Sequence, residues 1–330
     1  MSKKLMGLLM TFVLLAGLLA GCGSDKTSGS NDQTSGGKEK TKIVIGAAMP
    51  VFDDKWLSYL YDGINEYVKE LDGVEVKMVD AKNDSSLQLS QVDTFITQLV
   101  DAIIINPVDT DAIEPMVDAA NEANIPVIIV NRAPDEKVMK KIYAYVGSES
   151  LEAGTIQMEK VVELLGNKGN IGIMNGALGQ EAVVKRTQGN KDVAKNHPDI
   201  HIVREATADW QRAEGITLME NWIQSGEHFD AIVANNDEMA IGAIMALDDA
   251  GKRGDIIVAG IDGTIDALQY VKDGKLNVTA FQDAYGQGKG AIETAIKAIN
   301  GEKVDEKFIN IPFGLVTKDN VDEYIKKWEK

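Results

Sequence analysis

Seven short clusters of polar and aromatic residues recur along the chain, each placed just after an apolar, β-branched run. The first, Pro50 to Tyr59, carries Phe52, Asp53, Asp54, Trp56 and Tyr59. Asn131-Arg132 forms the second, and a third starts at Asn175, passes Gln180-Glu181 and leads to Arg186. Asp209-Trp210, Asn235-Asn236-Asp237, Asp262-Gly263 and Gln282-Asp283 complete the set. Fixed carboxylate and amide acceptors, planar guanidinium donors and indole faces are what a polyhydroxylated ring requires. Each hydroxyl donates and accepts, while the C–H faces of the ring are apolar. Taken singly, Asn131, Asn236 or Asp262 also suits a helix cap or a turn, the tryptophans suit core packing, and Arg132 and Arg186 suit surface ion pairs. Their common location at strand ends favours one shared site.

Groups for covalent or metal chemistry do not collect in the same way. His197, His201 and His228 fall at helix ends or on an edge strand, away from the clusters, and Cys22 is the only cysteine. The sequence has no glycine-rich phosphate loop, no His/Cys metal spacing and no nucleophile elbow. We therefore expect no catalysis, no cofactor and no metal site.

The elements that must position the clusters alternate in βαβα fashion. Apolar runs at 43–48, 74–79, 102–105, 126–130 and 144–146 are separated by amphipathic helical stretches such as Trp56 to Leu71, Ser86 to Leu99 and Asp111 to Ala123. The pattern restarts with runs at 171–174, 201–204, 231–234, 256–261 and 276–281. Near-continuous apolar strands alternating with helices predict parallel sheets covered on both faces, and the restart predicts two of them. In such sheets ligands bind beyond the carboxyl ends of the strands, where the clusters lie.

Ahead of this body, Lys3 and Lys4 precede an uncharged apolar run from Leu5 to Ala20, the pattern of an export signal too short to span a membrane. The residues Leu19-Ala20-Gly21-Cys22 resemble a bacterial lipobox, which predicts a signal peptide over 1–21 and a lipidated Cys22. Residues 22–41 read as the lipidated cysteine and a flexible tether, because Gly, Ser, Lys, Asp and Thr offer too little apolar surface to fold. Signal removal would lose Lys3 and Lys4 but no acid, taking the formal net charge from −17 to −19. So acidic a body repels phosphate backbones and anionic headgroups, which argues against a nucleic acid partner. The predicted location is the outer face of the cytoplasmic membrane, or the periplasm where an outer membrane exists, with the lipid as the membrane anchor.

From Lys42 to about Val316 the chain resembles the type I periplasmic binding proteins of the ribose and galactose/glucose kind. The resemblance is carried by Ile103 to Asp109, Ala123 to Val127, Ala234 to Ala243 and Gly260 to Thr264. It implies two doubly wound α/β lobes joined by a three-strand hinge, with crossings near Gly147, Gln282 to Asp283 and Gly314. Lobe 1 would comprise 42–147 plus 283–313, and lobe 2 would comprise 148–282 plus 314–330. Asp54, Trp56, Asn131 and Arg132 would contact ligand from the first lobe; Arg186, Trp210, Asn236, Asp262 and Gln282 would do so from the second lobe or the hinge. Phe52 and Tyr59 are plausible neighbours.

Departures from that family pattern narrow the ligand. Where the galactose/glucose kind has a His and an Asp before the shared Arg, this chain has Gln180 and Ala182, and the segment Leu164 to Gly169 lacks the alternating oxygens of a calcium loop. The aromatic-rich loop Val51 to Tyr59, together with Asn131-Arg132, is similar to binders of inositol and its derivatives, so myo-inositol or a related polyol is the first expectation and ribose or another pentose the second. The resemblance implies a monomeric solute-binding lipoprotein that closes on its ligand and delivers it to the permease of an ABC transporter. A chemoreceptor partner or an extracellular sugar- or nucleoside-processing enzyme remains the alternative. A repressor is excluded by the export signal and the acidic charge.

Overall fold

The computed structural model describes residues 42–328; Cys22 and the predicted signal and tether lie outside them. Five strands and four helices come first: β1 (Ile43–Met49), α1 (Lys55–Lys69), β2 (Val74–Asp80), α2 (Ser85–Thr97), β3 (Ala102–Ile105), α3 (Glu114–Glu122), β4 (Val127–Val130), α4 (Glu136–Lys141) and β5 (Ala144–Gly147). The second series is α5 (Ser150–Leu164), β6 (Gly169–Asn175), α6 (Glu181–Lys195), β7 (Ile200–Thr207), α7 (Arg212–Gln224), β8 (Ala231–Ala234), α8 (Asp237–Asp249), β9 (Ile257–Asp262), α9 (Ile265–Lys272) and β10 (Val278–Phe281). It is followed by α10 (Ala284–Ile299), β11 (Phe308–Asn310), β12 (Gly314–Val316) and α11 (Val321–Trp328).

These strands form two six-stranded sheets, ordered β11-β5-β4-β3-β1-β2 and β12-β10-β9-β8-β6-β7. All pairings are parallel except that of β12 with β10. Each sheet belongs to one lobe, and the chain passes between lobes after β5, after β10 and between β11 and β12. Helix α10 returns to the first sheet and packs along α1, while α11 packs on α9 of the second lobe.

Period-two alternation builds the cores. In the first lobe Ile45, Ala47, Met49 and Ile104 enter one buried cluster, while Ala48, Ile103 and Ile105 enter the cluster on the opposite face. In the second lobe Met174, Ile232 and Ala234 face one cluster and Ile171, Ile173 and Val233 the other. Both faces of each central strand are therefore dry, which is why those strands read as unbroken apolar runs.

Most elements fall within two residues of the sequence expectation, and three larger differences have a physical reason. Helix α3 starts at Glu114 and not at Asp111, with Pro115 in its first turn, where the missing N–H costs nothing. Strand β7 runs from Ile200 to Thr207 and is longer than predicted, because as an edge strand it tolerates His201, Arg204 and Glu205 on exposed positions. Strand β11 was not readable as an apolar run; it holds three half-exposed or exposed residues and exists by pairing with β5.

Candidate functional site

Most of the helices that follow the strands start on a side-chain cap, though α3, α6 and α7 do not, and several of the caps are polar residues of the clusters. Asp54 caps α1 by accepting from the Leu57 N–H at 2.9 Å. Asn236 caps α8 through the Met239 N–H at 3.0 Å, and its Nδ2 donates to the Trp210 carbonyl at 3.1 Å. A cap at a strand end stands beside the cleft by construction, so capping and cleft lining are compatible roles.

A cavity of about 340 Å³ lies between the two sets of strand ends. Asp54, Trp56, Asn131, Arg132, Arg186, Trp210, Asn236, Asp262 and Gln282 all line it. Phe52 and Tyr59 do not. Phe52 is 43% exposed and leans on Tyr61, and the Tyr59 ring packs at 4.5 Å against Trp328. Residues Val108 to Asp111 after β3 and Ser150 at the start of α5 also line the cavity. They follow strand ends as the others do, so that same rule could have found Val108 to Asp111.

Arg186 organises the second lobe's side of the cavity. Buried within α6, it donates from Nη1 to the Asn235 carbonyl at 2.7 Å and from Nη2 to Gln282 Oε1 at 2.9 Å. Its Nη1 stands 3.6 Å from Asp262 Oδ1, an ion pair slightly too long for a hydrogen bond, and its Nε is buried without a partner. Trp210 lies over the guanidinium at 5.8 Å and donates from Nε1 to Gln180 Oε1 at 2.9 Å. This ring is aimed by an unusual backbone, since Asp209 and Trp210 have φ of 45° and 68°. Gly176 lets the ring lie flat; a Cβ there would come within 2.2 Å of it.

On the opposite wall, Arg132 reaches back to the Pro107 and Val108 carbonyls at 2.8 and 3.1 Å. Asn131, at φ 67°, has its carbonyl held by the Tyr145 hydroxyl at 2.8 Å, and its Nδ2 approaches Gln287 Oε1 at 3.4 Å. Gln287 donates onward to Ser148 Oγ at 2.9 Å, and Ser148 to the Ile311 carbonyl at 2.6 Å. One hydrogen-bond chain thus ties a cavity residue to segments at all three crossings. Trp56 Nε1 joins the first lobe to the second crossing by donating to the Gln282 carbonyl at 3.3 Å.

Burial dominates the electrostatics. It raises the carboxyls of Asp54 and Glu181 and pushes Asp262 well above the usual range, against the opposing pull of Arg132 or Arg186. The same burial lowers both arginines. Behind Asp262, the fully buried Asp237 carboxyl is pushed up to about 7, although its oxygens accept from Thr279 Oγ1 at 2.7 Å and the Thr264 N–H at 2.9 Å. The three histidines lie elsewhere, His201 and His228 exposed on the second lobe and His197 half-buried after α6. Among the described residues no group of three or more His, Cys, Asp or Glu is arranged to hold a metal ion.

The sequence profile described as the periplasmic binding protein domain matches residues 45–303. A protein of Rhizobium meliloti named for rhizopine binding is 47% identical over 284 residues, covering 85% of this chain and 92% of that protein. The ribose import binding protein of Bacillus subtilis is 34% identical over 316 residues, covering 96% and 99%. Among solved structures, an ABC transporter solute-binding protein from Bacillus halodurans with bound myo-inositol is 47% identical and superposes with a TM-score of 0.84, covering 88% of this chain and 100% of that one.

Proposed function

The chain belongs to the periplasmic binding protein family, and from that premise we propose that it captures a monosaccharide or cyclitol, with myo-inositol or a related polyol first and ribose or another pentose second, by closing its lobes for delivery to an ABC transporter. The observation that carries the reading is the single cavity in which hydrogen-bonding side chains from the strand ends of both sheets converge with Trp56 and Trp210. Its polar lining has capacity left for hydroxyls. Arg186 Nε has no protein partner, and among the described residues no hydrogen bond ends on the Asp262 carboxylate.

A neutral ligand fits this set, because the two arginines are opposed by neighbouring carboxylates and both signs are desolvated together. A ring with hydroxyls all round uses donors and acceptors from every wall, and the aromatic faces cover its C–H surface. The relatives named for rhizopine and ribose, and the neighbour holding myo-inositol, support this class. Members of the family bind solutes, and we read this chain as a binder without catalytic activity, acting as a monomer anchored through lipidated Cys22. A role in chemosensing uses the same ligand physics, and genes for a permease and an ATPase beside this one would favour transport.

The test is a thermal-shift screen of the purified protein against myo-inositol, ribose, xylitol, allose, galactose, glucose and arabinose, with calorimetry on each hit. A binder present at 100 times its Kd adds about 2.7 kcal/mol. Myo-inositol is expected to give the largest shift; a melt unmoved by any of these polyols removes the reading. Recovering the ligand chemically unchanged after long incubation separates binding from turnover.

A further inference from the structure

Trp328 lies outside the cavity, yet it is the one described residue packed against the main buried clusters of both lobes. On the second lobe its Nε1 donates to the Gly263 carbonyl at 3.0 Å, and its ring meets Phe281 edge-on at 5.8 Å. On the first lobe it meets the Tyr59 ring at 4.5 Å. Both attachments are one step from groups that line the cavity. Gly263 follows Asp262, and Tyr59 sits one turn beyond Trp56 on α1.

The Asp262-Gly263 turn has little freedom of its own. Asp262 has φ 125° and Gly263 φ 63°, and a Cβ on Gly263 would lie 2.7 Å from the Phe281 ring. Its N–H, in the Asp262–Gly263 peptide, donates to Thr279 Oγ1 at 3.2 Å, and the Trp328 bond to its carbonyl holds the next peptide, Gly263–Thr264. The ring bridges α1 of one lobe and this turn of the other, so a change in the angle between the lobes must strain or break one of its two attachments.

We propose that Trp328 is a positioning residue that sets ligand affinity from outside the cavity, by fixing the Asp262-Gly263 turn and latching it to Tyr59 of the opposite lobe in the closed state that holds ligand. This rests on the solute-binding reading above. A contact made only after closure slows reopening and leaves encounter unchanged, so its loss appears in the dissociation rate.

The experiment measures calorimetric Kd and stopped-flow rates for the full chain with myo-inositol. Trp328→Ala is expected to raise Kd tenfold or more through faster dissociation, with association within twofold of wild type. Trp328→Phe, which keeps an aromatic ring between Tyr59 and Phe281 and loses the hydrogen bond, should recover part of the affinity. Tyr59→Ala removes the contact from the other lobe and leaves α11 intact, so it decides the matter if Trp328→Ala does not fold; the two changes together should be less than additive. A Kd within twofold of wild type in Trp328→Ala, or in Tyr59→Ala where the former is unfolded, overturns the latch while leaving the solute-binding reading in place. A wild-type protein that binds no polyol overturns that reading and the latch with it.

Discussion

Arg186 and Gln282 are bonded side chain to side chain, Nη2 to Oε1 at 2.9 Å, while the Gln282 carbonyl accepts from Trp56 of the first lobe. A single residue at the second crossing is thereby in contact with cavity groups of both lobes. Rotation about the hinge and rearrangement of the cavity are then coupled mechanically through Gln282.

Replacing Arg186 by Ala leaves Asp262 buried without its cation and strands two acceptors, Asn235 O and Gln282 Oε1. Breaking a buried pair from one side costs about 3–5 kcal/mol. Urea unfolding should show a loss of that size, and calorimetry should show no polyol binding. Gln282→Ala should cost about 1.5–3 kcal/mol in stability, the scale of a hydrogen bond to a charged group left buried without it.

Gly176→Ala should weaken binding without adding or removing any group that touches ligand. The new methyl meets the Trp210 ring at 2.2 Å and must tilt it off Arg186. We expect Kd to rise by about tenfold, the scale of one displaced aromatic anchor, with a melting temperature only slightly lowered. Unchanged affinity would mean that the ring finds another rotamer at no cost to the ligand.

The pH dependence of stability should be inverted relative to that of a protein dominated by surface ion pairs. Burial raises Asp237 to about 7, while an unfolded Asp titrates near about 4. The stability from its bound proton is full below about pH 4 and is lost as pH rises through about 7. Asp54, Glu181 and Asp262 are shifted in the same direction. The melting temperature should therefore fall from pH 5.5 to pH 8 at constant ionic strength, and less steeply in Asp237→Asn. A rise over that interval contradicts the assignment.

Small-angle scattering should report closure as a smaller radius of gyration at saturating ligand. An unchanged radius would mean that ligand enters without lobe movement.

Cys22→Ser should move the protein from the detergent phase to the aqueous phase on partitioning of cell extracts, and should abolish labelling by a fatty-acid analogue. Equal partitioning of the two forms would dismiss the lipid anchor.

The fold was legible where strands are buried on both faces. Ile103-Ile104-Ile105 alternates between two dry clusters and so carries no polar residue that could blur it. Strand β11 was not legible, because three residues with partial exposure have no pattern and their pairing partner β5 is about 160 residues away. The cavity residues followed from strand ends and from the family resemblance. Tyr59 did not join them because it sits three residues beyond Trp56, about 4.5 Å further along the helix from the cavity end of α1. Asp237 entered the sequence reading only as part of a polar cluster; its burial beneath Asp262 depends on Gly260, whose missing side chain admits the carboxylate at what would be 2.3 Å from a Cβ.

The three crossings also constrain how the chain acquires its structure. The first sheet receives its edge strand from Phe308–Asn310 and the second from Gly314–Val316, so the first is incomplete until residue 310 is present and the second until residue 316. A chain emerging from its N-terminus holds α1 without the α10 helix that covers it, and non-local closure of this kind is slow. Both lobes therefore acquire their last strands within a few residues of each other, near the end of the chain.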